Sequence, residues 1–196
     1  MSIFFEIHIT IADLSDSKTN DFVAICLQNE AKPILIKLAQ GRFVQQPMFT
    51  KVVCLDNINE ALDIANHYVQ LLNKTFKVNR LKIEIPSKDV DLLPNDRQRY
   101  SSNYYEWHGK INYIEGDKLT QLCVQHKVHL SRNSLKNESD KRFITLREFG
   151  GQDVFQIRIN KLIIDLEKSN WQLDKQQSEY CVYDDNALLD AGWLPQ

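Results

Sequence analysis

The stretches Phe4-Phe-Glu-Ile-His-Ile-Thr-Ile11 and Tyr104-Tyr-Glu-Trp-His-Gly-Lys-Ile111 carry one pattern twice. Each reads aromatic, aromatic, Glu, any residue, His, two further residues, Ile. The rest of each segment follows in the same order, the mark of an internal repeat. Lys32-Pro-Ile-Leu-Ile-Lys37 aligns with Lys127-Val-His-Leu-Ser-Arg132, and Phe49-Thr-Lys-Val-Val53 with Phe143-Ile-Thr-Leu-Arg147. Leu72-Asn-Lys-Thr75 aligns with Leu166-Glu-Lys-Ser169, and Phe76 and Glu84 with Trp171 and Glu179.

Each segment predicts the order βαββαβ. In the first, residues 3–12 alternate as a strand with Phe5, Ile7, Ile9 and Ile11 on one face. Residues 16–29 place Phe22, Val23, Ile25 and Cys26 at helical spacing, with Ser15 as the expected N-cap. Strands follow at 33–38 and 48–55, around a loop with Gly41. Residues 58–73 repeat apolar positions as an amphipathic helix, and 76–85 form the last strand. The second segment repeats this: strand 103–113, helix 117–126, strands 128–133 and 142–148, helix 153–168, strand 171–184.

The expected fold is α+β: a tandem duplication of a ferredoxin-like βαββαβ unit. It gives two four-stranded antiparallel sheets, with helices on one face of each. Repeats span 1–86 and 103–185, a linker 87–102 joins them, and 186–196 form a tail in which Leu188, Leu189 and Trp193 dock on the core. The four cysteines form no CxxC pair, so they are expected as reduced thiols rather than zinc ligands.

Composition narrows the function classes. A net charge of −2 with 26% charged residues argues against a nucleic-acid binder. No apolar run is long enough to span a membrane, and Glu6 and His8 interrupt the one apolar stretch near the start. A cytoplasmic protein is expected; oligomeric state is left open.

Alternation also fixes which residues face away from the helices. With Phe5, Ile7, Tyr105 and Trp107 turned to the core, Glu6, His8, Glu106 and His108 share the bare sheet face. Glu84 and Glu179, on neighbouring last strands, join them. His129, Ser131, Thr145 and Arg147 add to that face in the second repeat, where the first carries Ile34, Ile36 and Val53. If the two faces are covered by one another, both clusters line a shared cavity. The plain alternative is a solvated sheet face with ordinary cross-strand pairs.

Three chemistries are compatible with these residues. The first is binding, with acid–base work, of a small anionic, phosphorylated or carboxylate ligand. His108 and His129, expected to titrate near neutrality, and Glu106 and Glu179 are its candidate catalytic groups. Arg147, Ser131, Thr145, Glu6, His8 and Glu84 are the ligand-binding groups. The second is a divalent metal on His8, Glu6 and Glu84, or on their counterparts His108, Glu106 and Glu179; the residues name no other cofactor. The third rests on a resemblance. His8-Ile-Thr10 and His129-Leu-Ser131 are similar to the two His-x-Thr/Ser tripeptides of the 2H phosphoesterases. Those enzymes are bilobal and use both histidines on cyclic or 2′,3′-linked phosphates. The resemblance implies a hydrolase using His8, Thr10, His129 and Ser131, although His129 and His8 lie on different strands of their repeats. A non-catalytic protein-interaction module, using exposed strands or the bare sheet, is the opposing function class. Of the two repeats, the second is the one expected to carry chemistry.

Overall fold

The computed structural model describes residues 2–93, 103–113, 116–135 and 140–192. The first half contains β1 (Ile3–Ile11), α1 (Asp16–Gln28), β2 (Lys32–Leu38), β3 (Gln45–Leu55), α2 (Ile58–Asn73) and β4 (Val78–Pro86). The second contains β5 (Tyr104–Asn112), α3 (Gly116–His126), β6 (His129–Asn133), β7 (Lys141–Glu148), α4 (Gln152–Lys168) and β8 (Leu173–Asp184). Short 3-10 turns follow each half, at Ser87–Leu92 and Ala187–Asp190.

The expected pair of sheets is replaced by one closed antiparallel barrel in the order β1-β3-β2-β6-β7-β5-β8-β4. Each half keeps its own four-stranded order, and the halves join edge to edge. β2 pairs with β6 through Ile36 and Asn133, Lys37 and Arg132, and Leu38 and Ser131. β4 pairs with β8 from Lys82 opposite Asp184 to Pro86 opposite Glu179. Closure satisfies the backbone groups that four edge strands would leave unpaired. It also turns both bare faces into one lumen.

Outside the barrel, α2 packs on β1, β3 and β4, and α4 on β5 and β7. Phe5, Ile7, Ile9, Ile83 and Trp107 fill this outer layer and are fully or almost fully buried. A side chain at Gly109 would run into the indole of Trp107, which explains the glycine between His108 and Lys110. Asn57 caps α2 by accepting from the backbone N–H groups of Asn59 and Glu60. Ser15 occupies the N-cap position of α1 but makes no capping bond with its side chain.

Two segments differ from expectation. Part of the linker, Ser87–Leu92, is a 3-10 turn that buries Val90; residues 94–102 lie outside the described residues. In the tail, Leu189 is buried as expected while Leu188 is 64% exposed; Trp193 lies outside the described residues. No helix among the described residues is long and apolar enough to cross a membrane.

Candidate active site in the barrel lumen

Strands β1, β4, β5 and β8 lie side by side, so their inward residues meet. Glu6 is opposite Glu84 and His8 opposite Lys82; Glu106 is opposite Glu179 and His108 opposite Gln177. All the expected site residues, Glu6, His8, Glu84, Glu106, His108, His129, Ser131, Thr145, Arg147 and Glu179, line one cavity of about 360 Å³. This is no solvated sheet face: Glu84, Glu106, His129, Ser131, Arg147 and Glu179 are all buried.

Both halves build the same clamp around a histidine. His8 Nδ1 lies 3.0 Å from Thr50 Oγ1, and His108 Nδ1 lies 3.0 Å from Thr145 Oγ1. His8 Nε2 lies 3.1 Å from Glu84 Oε2, and His108 Nε2 lies 3.2 Å from Glu179 Oε2. Thr50 is thus the counterpart of Thr145, whereas the sequence alignment set Thr50 over Ile144. That one-residue slip also misplaced Val53, which packs with the outer core; Gln46 and Met48 are the β3 residues that line the cavity, and Thr50 reaches His8.

The floor is a neutralised ion network. Lys82 Nζ lies 2.8 Å from both Glu84 Oε2 and Glu106 Oε2, bridging the halves. Arg147 binds Glu106 Oε1 through Nη2 at 2.6 Å and Asp190 Oδ2 at 2.7 Å. Arg80 binds Asp184 Oδ2 at 2.6 Å and Asp190 Oδ2 at 2.9 Å. Tyr104 donates to Asp184 Oδ2 at 2.6 Å. Each of these three cations faces at least two carboxylates, so Arg147 is not held ready for a ligand as expected.

Sequence reasoning missed Arg80, Lys82, Tyr104, Asp184 and Asp190. The alternation that turned Glu84 inward also turns Lys82 and Arg80 inward, and Tyr104 follows from Glu106. For Asp190 no local signal exists, because tertiary docking of a four-residue turn places it.

Neither His108 nor His129 titrates near neutrality, in contrast to expectation. Burial disfavours the charge on His108, but hydrogen bonds to Glu106 and Glu179 outweigh it and push its pKa up to about 10. Burial, reinforced by Arg147 against the pull of Asp190, pushes His129 down to about 3. Burial would raise Glu106, yet Lys82 and Arg147 hold it well below the usual carboxylate range. Despite burial, the hydrogen bond and charge of His108 pull Glu179 down to about 2. Glu6 moves the other way. Burial raises it against the attraction of His8, helped by the charges of Glu179 and Glu84 and a hydrogen bond with Glu179.

Protonated His108 donates from Nδ1 to Thr145, which leaves the threonine hydroxyl proton free to donate onward. The solvent-facing rim has a different character from the floor. Lys32, Lys175, Gln176 and Gln177 are exposed, and Lys110 and Glu6 are half-buried. The His108 side chain is 31% exposed and that of His8 is 9% exposed, so the second-half histidine is the one that looks out.

Among the described residues, the group compact enough to share one metal ion is Glu84, Glu106 and His108, with ligand atoms within 4.8 Å of one another. It matches neither expected trio but mixes them, taking Glu84 from the first half and Glu106 and His108 from the second. The Lys82 ammonium already contacts two of its carboxylates, where a metal would compete with it. The phosphoesterase-like tripeptides are not equivalent either. His8 pairs with Thr50 rather than Thr10, and His129 stands opposite Thr145 as Lys32 stands opposite Thr50.

No family model matches this chain, and no curated protein matches it. Among solved structures it is similar to the small subunit of acetolactate synthase from Thermotoga maritima, with 11% identity, 92% of this chain and 95% of that chain covered, and a TM-score of 0.29. It is also similar to a structure named "Putative Chlorite dismutase TA0507", with 11% identity, 96% and 98% covered, and a TM-score of 0.32. Likenesses at this level carry no argument, and the α+β fold rests on the strand pairing of this chain itself.

Proposed function

We propose that the barrel lumen binds a small anionic molecule, a carboxylate or phosphate, at the end bearing Lys32, Lys110 and Lys175. The observation that carries this is the layering of charge. Lysines stand at the solvent-facing rim, and the floor below them is already neutralised by its own ion pairs. An anion drawn to the rim by its positive field meets the Thr145 hydroxyl, whose proton is left free by the His108 Nδ1 contact. Ser131 offers a further hydroxyl, while Glu84, Glu106 and Arg147 hold the frame.

Binding fits this geometry better than histidine acid–base catalysis. Both ring nitrogens of His108 are engaged, and a group with a pKa of about 10 gives up its proton reluctantly at neutral pH. Should a reaction occur, Glu6, whose carboxyl is raised, is better placed than His129, Glu106 or Glu179 to move a proton. Barrel closure buries the bare sheets and pairs the edge strands, the two surfaces that a protein-interaction module would need. The halves 1–86 and 103–185 are read as copies of one duplicated unit, supported by their matching strand order and matching clamps.

Thermal melts test the proposal. Inorganic phosphate, phosphate monoesters and small carboxylates are compared with sodium chloride at matched ionic strength. At 100 times Kd, a ligand stabilises by about 2.7 kcal/mol. Lys110→Ala combined with Lys175→Ala is expected to abolish the shift. No shift from any anion beyond that of chloride would overturn the proposal.

A further inference from the structure

A different end of the lumen carries a second site, independent of the lysine rim. The turn Ala187–Asp190 lies outside the barrel strands, yet its last residue is buried among them. Asp190 Oδ2 accepts from Arg80 Nη1 at 2.9 Å and Arg147 Nη2 at 2.7 Å, and Oδ1 accepts from Gln46 Nε2 at 3.2 Å. Three donors from β4, β7 and β3 therefore converge on both oxygens of one carboxylate. The strand register sets Arg80 beside Thr10, at the far end of β1 from Glu6.

The constellation does not depend on Asp190 for its shape. Arg80 is also held by Asp184 and Tyr104, and Arg147 by Glu106. Both guanidiniums thus have partners besides the turn. Apart from the Asp190 side chain, the turn is held through Gln46 Nε2 to Leu189 O at 3.5 Å, Arg42 N to Ala191 O at 3.0 Å and Asn186 Nδ2 to Asn79 O at 2.7 Å. Planar guanidiniums fixed by other partners are the usual apparatus for recognising a carboxylate.

We propose that Arg80, Arg147 and Gln46 form a carboxylate-binding site in which Asp190 is a built-in ligand, and that a free carboxylate takes its place when the Asp190 side chain is removed. The test is chemical rescue. Asp190→Ala leaves a void the size of a small carboxylate between the two arginines, and should melt below the wild type. Formate or acetate should restore at least half of the lost melting temperature, saturably, while chloride at equal ionic strength does not. Wild type, whose site is filled by Asp190, should gain less from formate than Asp190→Ala does. If Asp190→Ala does not fold in plain buffer, folded yield is read instead. Folding in formate but not in chloride supports the site, and folding in neither overturns it. Rescue by formate no greater than by chloride overturns it as well.

Discussion

The two halves hold their histidines alike and treat their carboxylates in opposite ways. Each clamp has a threonine on Nδ1 at 3.0 Å and a glutamate on Nε2 at 3.1 or 3.2 Å. The strands beside the clamps differ. Glu6 faces Val52 across β3, whereas Glu106 faces Arg147 across β7. Glu106 also takes Lys82 from the other half. The same position therefore carries a carboxyl raised in one half and a carboxylate strongly stabilised in the other. Backbone register sets the clamp, and neighbouring charge decides what the clamp does.

Breaking this asymmetry at its centre has the largest expected effect. Glu106→Ala leaves buried Lys82 with Glu84 alone and buried Arg147 with Asp190 alone, and should cost about 3–5 kcal/mol. Glu6→Ala, at the half-exposed counterpart, should cost less than about 1 kcal/mol. Urea unfolding of both variants measures the difference; equal losses would mean that the halves are energetically equivalent.

A pH series sharpens the comparison at smaller amplitude. The His108 pKa is raised from 6.5 to about 10, so its contribution is fully present below pH 6.5 and fades as pH rises through 10. That of Glu179, lowered from 4.5 to about 2, is present above pH 4.5 and fades as pH falls towards 2. Both depend on the His108–Glu179 contact, so His108→Gln should flatten both flanks of the stability profile. An alkaline flank unchanged in that variant would remove His108 as its cause.

The smallest effect concerns the thiols. Burial pushes Cys26, Cys123 and Cys181 up to about 12, while Cys54 is exposed. A thiol reagent should modify Cys54 first in the native protein and all four cysteines after denaturation. Rapid native labelling of a second cysteine would contradict this.

The sequence made the walls of the site legible where one strand face is continuously apolar. Phe5, Ile7 and Ile9 turn Glu6 and His8 inward without ambiguity, and Tyr105 and Trp107 do the same for Glu106 and His108. It misled on β3, where an alignment one residue out set Thr50 over Ile144 and Val53, in place of Val52, over Arg147, and a strand's side-chain period of two turns such a slip to the wrong face. Barrel closure was hidden because β2 meets β6, and β4 meets β8, across roughly a hundred residues of chain, a separation that leaves no local pattern. Asp190 was hidden for the same reason.

The most direct test is to follow the ring nitrogens of His8 and His108 by NMR while inorganic phosphate is titrated into the protein. The half-buried His108 clamp below the lysine rim should report the anion. Its 15N signals should show both nitrogens protonated at pH 7.5 and should shift saturably, while those of His8 stay in place. Equal shifts of both histidines, or a shift of His8 alone, would contradict a ligand site in the second half of the lumen.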